Sequence, residues 1–116
     1  LIRILRTARP AAVLSFTPKG NIYAGLAARA VGVPFLPNVS GLGTAFIRGG
    51  LVQRLSQALY REAFRAAPTV FFQNRDDSRL FKEQGLVVPE QVRLLPGSGV
   101  DCRRFRPKPL PSRSVG

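Results

Sequence analysis

Lys19 is one of the residues of this sequence with a type and setting suited to chemistry. It stands between Pro18 and Gly20 in the turn cluster Thr17-Pro18-Lys19-Gly20-Asn21. In a stiffened loop at the edge where ligands bind it is a candidate for function, although most loop lysines are simply solvated. A second cluster, Ser40-Gly41-Leu42-Gly43-Thr44, runs on toward Gly49-Gly50. Its backbone N–H groups, close to the start of a helix, suit an anionic ligand. It fails as a dinucleotide fingerprint: Phe46 replaces the third glycine, and the next strand ends in Gln73-Asn74 where a ribose-binding acid would stand. A third cluster is Pro96-Gly97-Ser98-Gly99-Val100-Asp101. No Walker pattern surrounds Lys19, so nothing supports ATP hydrolysis. Asp76 and Asp77 read as surface acids complementing a helix N-terminus rather than as a catalytic pair. Cys102 has basic neighbours, Arg103 and Arg104, but no base accompanies it, which makes a poor nucleophile.

Composition removes several classes outright. With no histidine in 116 residues there is no Ser-His-Asp triad, His-liganded zinc or His general base. A single cysteine excludes an internal disulfide framework and a multi-thiolate metal site. The length suits one domain, and 45% hydrophobic residues suffice for a core. Apolar stretches fall far short of the ~20 residues that span a bilayer, and no signal peptide is expected from the opening residues.

The elements that must position these clusters alternate regularly. Leu1–Ala8 reads as the tail of a helix with Ile2, Leu5 and Ala8 on one face, so the chain is expected to be an internal or truncated piece. Ala12–Phe16 is an apolar run without alternation, as for a strand buried on both faces. The Thr17–Asn21 turn then leads into a helix over Ile22–Val31, closed by Gly32 and Pro34. Phe35–Val39 is the next strand. Leu51–Ala67 gives the clearest helix, with Val52, Leu55, Leu59, Ala63 and Ala66 expected to face the core and Arg54, Arg61 and Arg65 opposite. Thr69–Gln73 is a third strand, Asn74 caps a helix running to Gly85, and Val92–Leu95 is a fourth strand. The tail after Phe105, with Pro107, Pro109 and Pro111, reads as a linker. The expected domain is therefore 1–106, followed by a Pro-rich linker over 107–116.

Strand, loop and helix repeated in this way define an α/β protein: a Rossmann-like parallel sheet, expected to carry helices on both faces. Ligands of such sheets bind at the carboxyl ends of the strands, where the three turn clusters fall.

The net charge of +12 is spread along the chain. Residues 1–31 hold five positive and no negative groups, and residues 92–116 contribute +5. The aromatics lie inside apolar runs rather than between basic residues, so no nucleic-acid stripe is expected. Attraction to an anionic membrane surface or a phosphate-bearing acceptor accounts for the charge, as does a plain solvated surface.

Four stretches, in order, are similar to the bacterial family 4 glycosyltransferases of two-domain GT-B fold. These are Ser15–Arg29, Asn38–Gly43 with its following helix, Phe71–Asn74 with Asp76 and Asp77 behind it, and Leu95–Asp101 followed by Phe105 and prolines. The resemblance covers nearly the whole chain and is strongest to members that extend polyprenyl-diphosphate-linked sugars. It implies a hexosyltransferase acceptor domain whose opening strand would precede Leu1 and whose donor-binding domain would follow Gly116. The nucleotide-sugar is then a substrate of that second domain, with no cofactor and no metal. By position, Thr17, Lys19 and Asn21 match the first cleft loop, Ser40, Gly41, Gly43 and Thr44 the second, and Gly97, Gly99 and Asp101 the interdomain edge. Many relatives have His where this chain has Ser40, which leaves a His-dependent step without its residue and the catalytic groups unassigned. The implied setting is the cytoplasmic face of the bacterial plasma membrane, held peripherally through Arg48, Arg54, Arg61 and Arg65. The alternative is a basic α/β module binding nucleotide or nucleic acid without catalysis.

Overall fold

The computed structural model describes residues 1–41, 50–97 and 99–106. Its elements are α1 (Ile2–Ala8), β1 (Val13–Ser15), α2 (Pro18–Val31), β2 (Phe35–Val39), α3 (Gly50–Phe64), β3 (Val70–Phe72), α4 (Arg75–Glu83) and β4 (Val92–Leu94). A single 3-10 turn, Pro89–Gln91, introduces β4. The four strands form one parallel sheet in the order β1-β2-β3-β4, with Val13 opposite Phe35, Asn38 opposite Phe71 and Val70 opposite Val92. The class, the parallel pairing and all four strands are those read from the sequence. The linker expected over 107–116 lies outside the described residues.

The helix layers differ from expectation. Each strand pairs with its neighbour in sequence, so every right-handed crossover places its helix on the same side. Accordingly α1 lies on α2 and α2 on α3, while Tyr60 of α3 meets Phe81 of α4 edge-on at 5.3 Å. The described helices thus form one layer, not two. By alternation Leu14, Leu36, Phe71 and Arg93 point to the other face of the sheet. Leu14 is exposed, and Leu36 and Phe71 are half-buried. β1 is therefore not buried on both faces: among the described strands it lies at the edge, with one covered side.

The core lies between sheet and helices. Phe72 and Phe81 meet edge-on at 5.3 Å, Tyr60 and Phe64 likewise at 5.3 Å, and Phe35 lies 6.2 Å from Phe64. These rings decide how α3 sits. Tyr60, Ala63 and Phe64 face inward and are buried, whereas Val52 and Leu55, expected in the core, are exposed. An aromatic ring removes more area from water than a valine or leucine, so the helix rotates to bury Tyr60 and Phe64. Burial also pushes the Tyr60 hydroxyl up to about 12. On α1 only Leu5 of the expected trio is buried.

Gly25 lets α2 approach both neighbours. A Cβ built there would lie 2.7 Å from Phe35 Cε1 and 2.9 Å from both the Cβ and the carbonyl oxygen of Ala63. The ends of the helices follow local signals. Thr17 Oγ1 accepts from Gly20 N at 3.2 Å with Pro18 in the first turn, and Gly32 closes α2 at φ 71°. Asn74 Oδ1 accepts from Asp77 N at 2.7 Å. Asp77 is buried, its carboxylate accepting from Asn74 Nδ2 at 2.8 Å, rather than standing on the surface beside Asp76.

Candidate functional site

All three turn clusters follow the carboxyl ends of parallel strands. Thr17 and Lys19 come after β1, Ser40 and Gly41 after β2, and Gly97 after β4. Gly43, Thr44 and Arg48 lie outside the described residues.

The first cluster is shorter as a loop than its sequence suggests. Because Thr17 caps and Pro18 is pre-set for the first helical position, α2 already includes Lys19, Gly20 and Asn21. Lys19 is exposed in that first turn, which carries no acid. An ammonium is thereby added to the positive end of a helix dipole, an arrangement that raises the free energy unless an anion is near.

Asn21 has a different task from Lys19. It is only 1% exposed, and both ends of its amide are engaged. Ser15 Oγ donates to Asn21 Oδ1, and Asn21 Nδ2 donates to the Asn38 carbonyl at 3.1 Å. Ser40 Oγ adds a further tie, donating to the Phe16 carbonyl at 2.8 Å. The ends of β1 and β2 and the start of α2 are thus knotted into one polar unit beneath Lys19. Asn21 positions the two loops instead of reaching toward a ligand. Ser15 and Asn38 belong to the same unit but were not singled out in the sequence, where each looks like an ordinary strand residue. The side-chain oxygen of Asn38 is buried without a hydrogen-bond partner among the described residues.

Asn21→Ala would strand Ser15 Oγ and the Asn38 carbonyl. The expected cost is about 2 kcal/mol, read as a lower urea midpoint. Asn21→Asp should do worse despite its shape, because it cannot donate to Asn38 and would bury a charge.

At the last strand end, Gly97 is exposed and Gly99 adopts φ 65°. Asp101 caps the following turn: its carboxylate accepts from Arg103 N at 2.9 Å and Arg104 N at 3.3 Å. Cys102 is exposed, with Sγ 3.5 Å from the Val100 carbonyl. Among the described residues no group of His, Cys, Asp and Glu could hold a metal ion.

The arginines of α3 are not equivalent. Arg54, Arg61 and Arg65 are all exposed. Arg61, however, donates through Nε to the Gly85 carbonyl and through Nη2 to the Gln84 carbonyl, each at 3.1 Å. It closes the carboxyl end of α4, a favourable place for a cation. No described helix is long and apolar enough to cross a membrane.

A glycosyl transferase 4-like domain model matches residues 1–97, which takes in every helix and strand of the sheet. The chain belongs to that glycosyltransferase family, and a general role in glycosyl transfer follows. No curated protein matches it.

Proposed function

We propose that this chain is the acceptor-side domain of a two-domain GT-B glycosyltransferase that elongates a polyprenyl-diphosphate-linked glycan. In this reading a nucleotide-sugar, held by a second α/β domain beyond residues 1–116, donates a hexosyl group at the carboxyl edge of the sheet. The work is done at the cytoplasmic face of a bacterial plasma membrane for cell-surface glycan assembly, and needs no cofactor. The observation that carries the reading is Lys19, exposed in the acid-free first turn of α2. Glycosyl transfer needs positioning and charge stabilisation around phosphate more than it needs a titrating base. A lysine and a helix N-terminus together suit a diphosphate. The polar unit of Ser15, Asn21 and Asn38 then keeps the two loops in register while the acceptor is bound. The family match gives no support to the non-catalytic nucleic-acid alternative.

Incubated with nucleotide-sugars and polyprenyl-diphosphate acceptors, residues 1–116 alone should release no product, because the donor site lies in the second domain. They should still bind a short-chain prenyl diphosphate, and not the corresponding prenyl alcohol, in a calorimetric titration. Turnover by the pure chain, or equal binding of the alcohol, would overturn the reading.

A further inference from the structure

Leu51, Val52 and Leu55 are 83%, 58% and 62% exposed, an apolar cluster on the first two turns of a helix that buries Tyr60, Ala63 and Phe64 at its other end. The helix cannot turn them inward, since Tyr60 and Phe64 fix its other face in the core. Neither does α2 cover them. Gly25 meets Ala63, and α2 begins only two turns before Gly25, so at equal rise it runs out about level with Ser56. Leu51, Leu55 and Ala58 follow one another at helical spacing, and Arg54, Arg61 and Arg65 form the adjoining stripe. From Gly50 to Arg61 the helix has no acid. The next residue, Glu62, is paired with Arg29 of α2.

We propose that the outer face of α3 is a wedge for an anionic bilayer, with Leu51, Val52 and Leu55 entering the headgroup layer and Arg54, together with Arg65 just beyond the far end of the helix, meeting lipid phosphates. The inference rests on the lipid-linked acceptor proposed above for its purpose, while the surface that supports it stands on its own. Exposed leucines flanked by arginines on a convex helix have the composition of an interfacial helix. Charge selects the occupant. A second copy would bring another chain of +12 and another Arg54 stripe against the first, whereas an anionic surface attracts both. Arg61 has no part in the wedge, because its guanidinium is spent on the end of α4.

The test is co-sedimentation of the 116-residue chain with vesicles of phosphatidylcholine containing phosphatidylglycerol, across a salt series. The parent should bind and be released progressively as salt rises. Leu51→Ser with Leu55→Ser should lower the partition coefficient about tenfold at every salt concentration, with the melting temperature unchanged, since both side chains are already in water. Arg54→Glu with Arg65→Glu should lower it most at low salt and flatten the salt dependence. Full binding by the leucine variant would overturn the wedge. So would sedimentation equilibrium showing a dimer of the parent that the leucine substitutions dissociate, which would give this surface to a second copy. Vesicle binding that follows these expectations beside a failed prenyl-diphosphate titration would retain the wedge and sink the acceptor reading.

Discussion

Gly25→Ala should destabilise the fold by about 2–3 kcal/mol, the upper part of the range of about 1–3 kcal/mol for forcing a methyl group into a packed contact. The new Cβ would sit 2.7 Å from Phe35 Cε1, and that ring has partial freedom to yield. The carbonyl oxygen of Ala63, at 2.9 Å, has none, because it belongs to the backbone of α3. Relief therefore means sliding α2 away from α3 along much of their contact. Alanine's better helix propensity offsets about 1 kcal/mol of a larger steric penalty. Against a typical total of about 5–15 kcal/mol, the remaining loss is a large fraction. The check is urea unfolding: the midpoint should fall while the slope stays constant. An unchanged midpoint would mean that α2 and α3 lie further apart than the structure places them.

Lys19→Ala should weaken binding of a prenyl diphosphate about ten- to a hundredfold, since a hydrogen bond to a charged group is worth about 1.5–3 kcal/mol. Stability should hardly change, because the side chain is exposed and ends in solvent. Removing a cation from the positive end of α2 is if anything mildly stabilising in the absence of ligand. This opposition makes the experiment discriminating: ligand affinity falls while the melting temperature holds or rises. Lys19→Arg should keep much of the affinity, as the charge survives. Arg113→Ala, in the Pro-rich tail, is the control and should leave binding as it was. Equal and small effects at both positions would return Lys19 to ordinary surface.

The sequence carried the alternation of elements and several of their ends. Asn74, Gly32 and the Thr17-Pro18 pair act through neighbours three or four residues away, and such local chemistry is visible in a single chain. Strand order is not local. Nothing in the apolar runs says that β1 pairs with β2 rather than with a later strand, so the single helix layer was not readable from periodicity. The rotation of α3 was missed for a related reason. Its pattern of Val52, Leu55, Leu59, Ala63 and Ala66 competes with Tyr60 and Phe64, and only the aromatic partners Phe35 and Phe81 settle which side faces inward. Asn21 shows the matching difficulty at the site. A side chain suited to bind a ligand is equally suited to tie two loops together, and burial alone separates the two roles. Gly25 did leave a signal. A glycine inside a helical pattern costs about 1 kcal/mol relative to alanine and usually has a packing reason.

The sequential order of the strands also bears on how the chain reaches this state. Among the described strands every sheet pairing joins neighbours in sequence, and none reaches across the whole chain. The entropy of closing each loop is therefore met in small, similar steps. Among the described strands the pairings join residues such as Val13 and Phe35, Asn38 and Phe71, and Val70 and Val92, and no strand pairs with one more distant in order. β1, α2 and β2 hold their own knot of Ser15, Asn21 and the Asn38 carbonyl, complete before β4 is needed. A ribosome delivering the chain from its amino end releases these partners in the order in which they pair.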